Sequence, residues 1–98
     1  MSLTIGKALI ESREILSIEE TISGYIIRGS IPVEADKKTI LQALALLKEG
    51  RVENSSFVTD SGKTVNEPLR IEELAIGERE FPEHKSLTFV IRLIPSRW

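Results

Sequence analysis

Pro68-Leu69-Arg70-Ile71-Glu72-Glu73-Leu74-Ala75-Ile76, residues 68–76, runs up to Gly77 and carries the signals of two different elements. A proline in the first position, glutamates in the opening turns and a glycine just past the end are how a short helix starts and stops. Leu69 and Ile71 with Arg70 between them are how a half-buried strand alternates. The choice decides the architecture, because the segments on either side are easier to read.

On the C-terminal side, Leu87, Phe89, Ile91 and Leu93 alternate with Thr88, Val90, Arg92 and Ile94, giving a strand with one apolar face and one mixed face. A second such strand lies earlier, where Tyr25, Ile27, Gly29, Ile31 and Val33 alternate with Ile26, Arg28, Ser30 and Pro32. Leu16, Ile18 and Ile22 alternate before it, and Ser23-Gly24 or the 19–21 region supplies the turn of a hairpin. The clearest helix covers 36–49, with Asp36 as its cap and Gly50 ready for a left-handed conformation just past its end. Ile40, Leu41, Leu44 and Leu47 share one broad face of that helix, flanked by Ala43 and Ala45, and Leu46 projects from the opposite side. Phe57-Val58 reads as a short strand, Asp60-Ser61-Gly62-Lys63 as a turn and Thr64-Val65 as the return. Residues 4–16 divide evenly between helix, on the spacing of Ile5, Leu9, Ser12 and Leu16, and strand, on Gly6 and the neighbouring isoleucines.

Two architectures follow. With 68–76 as strand, the chain is a two-layer α+β domain, an antiparallel sheet of about five strands with the 36–49 helix on one face. With 68–76 as helix, residues 25–94 form a ferredoxin-like βαββαβ unit preceded by an extra strand. Both make 1–98 a single α+β domain, as expected of 98 residues.

Composition narrows the function classes. Hydrophobic residues make up 41% of the chain against a net charge of −2, which argues against disorder. The 13 isoleucines suit a pleated surface. The chain has no cysteine, hence no disulfide, zinc–thiolate site or thiol nucleophile, a composition that fits a reducing compartment. No apolar run approaches a membrane span, and Lys7 and Glu11 interrupt the N-terminal apolar stretch, so neither an anchor nor a secretory signal is expected and the cytoplasm is the expected location. Charge is uneven: residues 67–83 carry six glutamates against Arg70 and Arg79, whereas 84–98 carry Lys85, Arg92 and Arg97 with no acid. Adjacent segments of opposite sign are expected to pair within one fold.

No motif names a reaction. Gly62-Lys63-Thr64 ends like a phosphate-binding loop, but such a loop needs a glycine where Phe57 stands, so the string reads as a hairpin turn with a solvated lysine. His84 is the only histidine, and among glutamates in 80–85 it reads as a solvated loop residue. Tyr25 and Phe89 fall on the core parity, leaving no aromatic on the mixed strand face to stack a base, so no nucleic-acid partner is expected. Cofactor and metal motifs are lacking, and an enzyme is not expected.

The remaining features suit contacts. Arg28 and Arg92 either extend to solvent or pair with a cross-strand carboxylate such as Glu14 or Glu19; alternatively they form an anion-recognising pair in a small-ligand regulatory domain. Leu46, Phe81 and Trp98 are of types that mark interfaces when exposed. Ile26, Val90 and Ile94 load the second face of the sheet with apolar surface. The sequence therefore points to a small interaction or assembly module that pairs with itself, as a dimer, or with a protein partner.

Overall fold

The structure, a computed structural model, describes residues 2–11, 15–31, 34–80 and 85–96. Strands account for most of them. In chain order the elements are β1 (Ser2–Ile5), β2 (Ala8–Glu11), β3 (Ile15–Glu20), β4 (Tyr25–Ile31), α1 (Glu34–Ala45), β5 (Val52–Val58), β6 (Thr64–Glu80) and β7 (Lys85–Pro95). All the strands join one antiparallel sheet in the order β2-β1-β5-β6-β7-β4-β3. This corrects both sequence-based architectures: the sheet has seven strands among the described residues where about five were expected. The fold is sheet-rich with one short helix, neither the two-layer α+β domain nor the ferredoxin-like unit.

Residues 68–76 are the reason. They form the middle of β6, a strand of 17 residues, with no helix. The register of β6 against β7 shifts between Ile71 and Glu73, so Glu72 is the extra residue of a β-bulge. The positions that share the inner-row parity therefore run Leu69, Ile71, Leu74, Ile76, the last of them left exposed beyond the core. The gap of three breaks the alternation and imitates helical spacing. Glu49 supports the bulge from outside the strand, its Oε1 accepting the Leu74 N–H at 3.0 Å.

Pro68 is tolerated in a central strand for a local reason. The ladder with β7 begins only at Leu69, opposite Pro95. A strand residue directs its N–H and C=O to the same side, and the Pro68 carbonyl accepts the Ser96 hydroxyl at 3.3 Å, beyond the end of that ladder. The missing N–H thus removes no ladder bond.

The sheet is strongly curled. Its two edge strands, β2 and β3, are consecutive in sequence, and Glu11 and Ile15 are separated by four peptide units, which span no more than about 14 Å. A flat sheet would hold its outer strands six spacings of about 4.8 Å apart, roughly 29 Å. A second contact across the curl is observed, where the Asp60 N–H in the β5–β6 turn donates to the Ile18 carbonyl of β3 at 2.9 Å. That turn blocks part of an edge otherwise open to pairing with another strand.

α1 lies across the inner, concave face, touching β2 on one side and β4 and β7 on the other. It runs from Glu34 to Ala45, where 36–49 was expected, so Asp36 lies in its first turn and is not the residue that precedes it. Beyond Ala45 the bonds tighten, Leu46 N–H to Ala43 O and Leu47 N–H to Leu44 O, both 3.1 Å. Gly50 does adopt the left-handed conformation, at φ 88°, and its N–H donates to Ile71 O at 2.7 Å, tying the loop to β6. Ile40, Ala43, Leu44 and Leu47 face the core, while Leu41 and Leu46 are exposed.

The core fills the concave face with Leu3, Ile5 and Ile10 from the first hairpin, Ile18, Tyr25 and Ile27 from the second, and Leu69, Ile71, Leu87, Phe89, Ile91 and Leu93 from the long central pair. Gly29 interrupts the inner row of β4 for a packing reason. The ring of its cross-strand partner Phe89 occupies the place where a Cβ would stand. Tyr25 meets Phe57 edge to face, ring centroids 5.3 Å apart.

Candidate functional site

The outer face of β3, β4, β7 and β6 carries the side chains that the core does not use. Two rows cross it. One runs Glu19, Ile26, Arg92, Glu73 and the next Ser17, Arg28, Val90, Ala75. Ser30 and Thr88 form a third pair, where the Thr88 hydroxyl donates to the Gly77 carbonyl at 3.2 Å. Ile26, Val90 and Ile94 are half-buried by their neighbours. The helix lies on the opposite face, and no element covers this one among the described residues.

Both arginines have carboxylate partners. Arg28 Nη1 donates to Glu19 Oε2 at 3.1 Å, one of the two cross-strand partners anticipated for it. Arg92 Nε lies 3.6 Å from Glu73 Oε2, an ion pair that joins the acidic segment 67–83 to the acid-free segment 84–98. The bulge at Glu72 is what sets Glu73 opposite Arg92. Arg28 and Arg92 stand diagonally across the β4–β7 pair, since Arg28 faces Val90 and Arg92 faces Ile26. The side chains of all four ion-pair members are about half exposed, so water weakens the pairs without abolishing them. An anion reaching for the two arginines has to displace two carboxylates, the cross-strand pairing that the sequence reading set against an anion site.

A different group of cations surrounds Leu46. A cleft of about 340 Å³ opens between the β1–β2 turn, the end of α1 and the start of β5, lined by Ile5, Lys7, Leu46, Lys48, Arg51 and Glu53. Leu46 is 55% exposed and forms a wall of the cleft. Arg51 Nε stands 3.6 Å from Glu53 Oε1. Lys48 and Arg51 share the loop between α1 and β5, and no spacing in the sequence links Lys7 to them.

Lys63 is solvated, as expected, and it also has two partners. Its Nζ donates to Glu20 Oε2 at 2.6 Å and stands 5.5 Å from the centroid of the Tyr25 ring. Its hydrogen bond to Glu20, with Tyr25 beside it, pushes its pKa above the ordinary lysine value. Beside it opens a recess of about 670 Å³, wider than the cleft at Leu46, lined by Ser23, Tyr25, Glu67, Glu72 and Ile94.

Phe81, His84 and Trp98 lie outside the described residues. Among the described residues no group of three or more histidine, cysteine, aspartate or glutamate side chains is placed to hold a metal ion, and no helix is long and apolar enough to cross a membrane. No family model, no curated protein and no solved structure matches this chain.

Proposed function

We propose that the chain is a non-catalytic interaction module whose partner is a second copy of itself, docked on the outer face of β3, β4, β7 and β6. The observation that carries this reading is the uncovered face on which Ile26, Val90 and Ile94 lie between two internally neutralised ion pairs. The four charges of the two pairs cancel, so a second copy bringing the same pairs meets no net repulsion from them, whereas a strongly charged partner gains nothing from them. In the anion-binding alternative the same arginines must first give up their carboxylates. The module is placed in the cytoplasm on the strength of its cysteine-free composition.

The area sets the expected strength. Four strands at about 4.8 Å spacing and seven residues at about 3.3 Å present a patch of roughly 19 by 23 Å, on the order of 440 Å². That is below the ~800 Å² per partner of a standard stable interface, so the dimer is expected to be weak and concentration-dependent. Sedimentation between micromolar and millimolar concentration tests this. The expected result is reversible dimerisation that Ile26→Glu or Val90→Glu abolishes while the circular dichroism spectrum is kept. A monomer throughout that range, or a dimer indifferent to both substitutions, overturns the reading.

A further inference from the structure

We propose that the cleft beside Leu46 binds a small organic phosphate, its phosphoryl group held by Lys7, Lys48 and Arg51 and its apolar part against Leu46. This site is independent of the outer sheet face. Three cations and one carboxylate around a single cavity give a local surplus of positive charge in a chain whose net charge is −2. Like charges gathered around one opening repel each other, and an anion shared among them turns that repulsion into attraction.

The loop carrying two of the cations is held in place. Gly50 N–H donates to Ile71 O at 2.7 Å, Ile71 N–H donates to Arg51 O at 2.9 Å, and Glu49 accepts from Leu74 N–H at 3.0 Å. Residues 49–51 are thereby fastened to β6, and Glu53 adds its ion pair to the Arg51 guanidinium. Binding consequently costs little backbone ordering. The volume of about 340 Å³ falls at the lower end of small-molecule sites.

Charge and polarity choose the ligand. A phosphate monoester carries about −1.5 to −2 charge near neutral pH and matches three cations better than a singly charged carboxylate does. The exposed side of Leu46 and the edge of Ile5 give an apolar wall that inorganic phosphate cannot use. On this reading the exposed leucine after α1 is a ligand contact, distinct from the dimer face.

The test is an amide-shift titration of the ¹⁵N-labelled full chain at fixed ionic strength, with phenyl phosphate and inorganic phosphate as probes. Saturable shifts are expected at Gly6, Lys7, Leu46, Lys48 and Arg51, with phenyl phosphate binding the tighter of the two. Lys48→Ala and Arg51→Ala are each expected to weaken phenyl phosphate about tenfold or more, the loss of one charge-assisted hydrogen bond. Leu46→Gln is expected to weaken phenyl phosphate and leave inorganic phosphate unchanged. The site is overturned by shifts that do not saturate, by shifts spread over lysines elsewhere, by equal affinity for the two probes, or by unaltered affinity in the lysine and arginine variants. In the unsubstituted chain, affinity for phenyl phosphate that is indifferent to added sodium chloride overturns it as well, with no variant needed.

Discussion

β4 and β7 pair over seven residues, and their two faces do different work. On the inner face Tyr25, Ile27, Leu87, Phe89, Ile91 and Leu93 are each at most 5% exposed. On the outer face, with the same backbone and the same register, Ile26, Val90 and Ile94 are only half-buried and Arg28 and Arg92 are exposed. Burying each large inner side chain contributes about 1.5–3 kcal/mol. Because side chains alternate, a slip of one residue would exchange the two rows and put Arg28 and Arg92 into the core, so the inner row sets the register for both. The outer row is relieved of that duty, which is why it can hold ion pairs and contact surface at no cost to the fold.

Truncating the inner row is expected to have the largest effect. Phe89→Ala should cost about 3–5 kcal/mol in urea denaturation, against under about 1 kcal/mol for Val90→Ala on the adjacent outer position. Comparable losses at both positions would mean that the outer face is covered and that the contrast fails. Gly29→Ala sharpens the same contrast. A methyl there is directed into the space held by the Phe89 ring, and the expected cost is about 1–3 kcal/mol. In a Phe89→Ala background that cost should nearly vanish, so a double-mutant cycle ought to show strong coupling. Additive losses would show that Gly29 is needed for some reason other than the ring.

Much of this contrast is legible in the sequence, because β4 and β7 alternate without interruption and their parity is read directly from Tyr25, Ile27, Phe89 and Ile91. The turn at 60–63 and the hairpin from β3 to β4 are legible for the same reason: their signals are local. β6 is not. Its bulge at Glu72 shifts the inner row by one residue, so Leu69, Ile71, Leu74 and Ile76 lose the period of two that identifies a strand. Pro68 and Gly77, which punctuate a helix, are accommodated here by the end of a ladder and by a place opposite Thr88. Of the candidate site residues, Leu46 is correctly exposed and Arg28 does find Glu19. The cleft that Leu46 helps to line was hidden, since Lys7 meets Lys48 and Arg51 only through the long-range pairing of β1 with β5. The curl itself is set by long-range contacts, such as the hydrogen bond from Asp60 to Ile18, that no local pattern encodes.

The outer face is expected to respond to substitution weakly and in a salt-dependent way. Glu73→Gln, measured at a concentration where the chain is monomeric, should cost under about 1 kcal/mol at low ionic strength. Near 1 M salt, where the screening length falls to about 3 Å, the difference should disappear. A loss that persists in high salt would place the Arg92–Glu73 pair in a desolvated setting and contradict the openness of that face.

The smallest effect belongs to Lys63, the tie that draws the β5–β6 turn toward the end of β3. Glu20 and Tyr25 raise its pKa above the unfolded value of about 10.4, so the folded chain holds this proton more tightly than the unfolded chain does. The contribution is therefore fully present below about pH 10.4, where both forms are protonated. Above that value the unfolded chain loses the proton first, and stability falls as pH rises toward the folded pKa. Stability is thus expected to be insensitive to Lys63 titration between pH 6 and 9 and to decline in the alkaline range. Lys63→Gln should remove part of that decline while changing stability at pH 7 only slightly, because the ion pair lies at the surface with both side chains about half exposed. Urea denaturation of both proteins at pH 7 and pH 11 decides the matter. An identical alkaline decline in the two would mean that the 2.6 Å contact with Glu20 does not persist in solution and that the turn is tied to β3 by the Asp60 backbone alone.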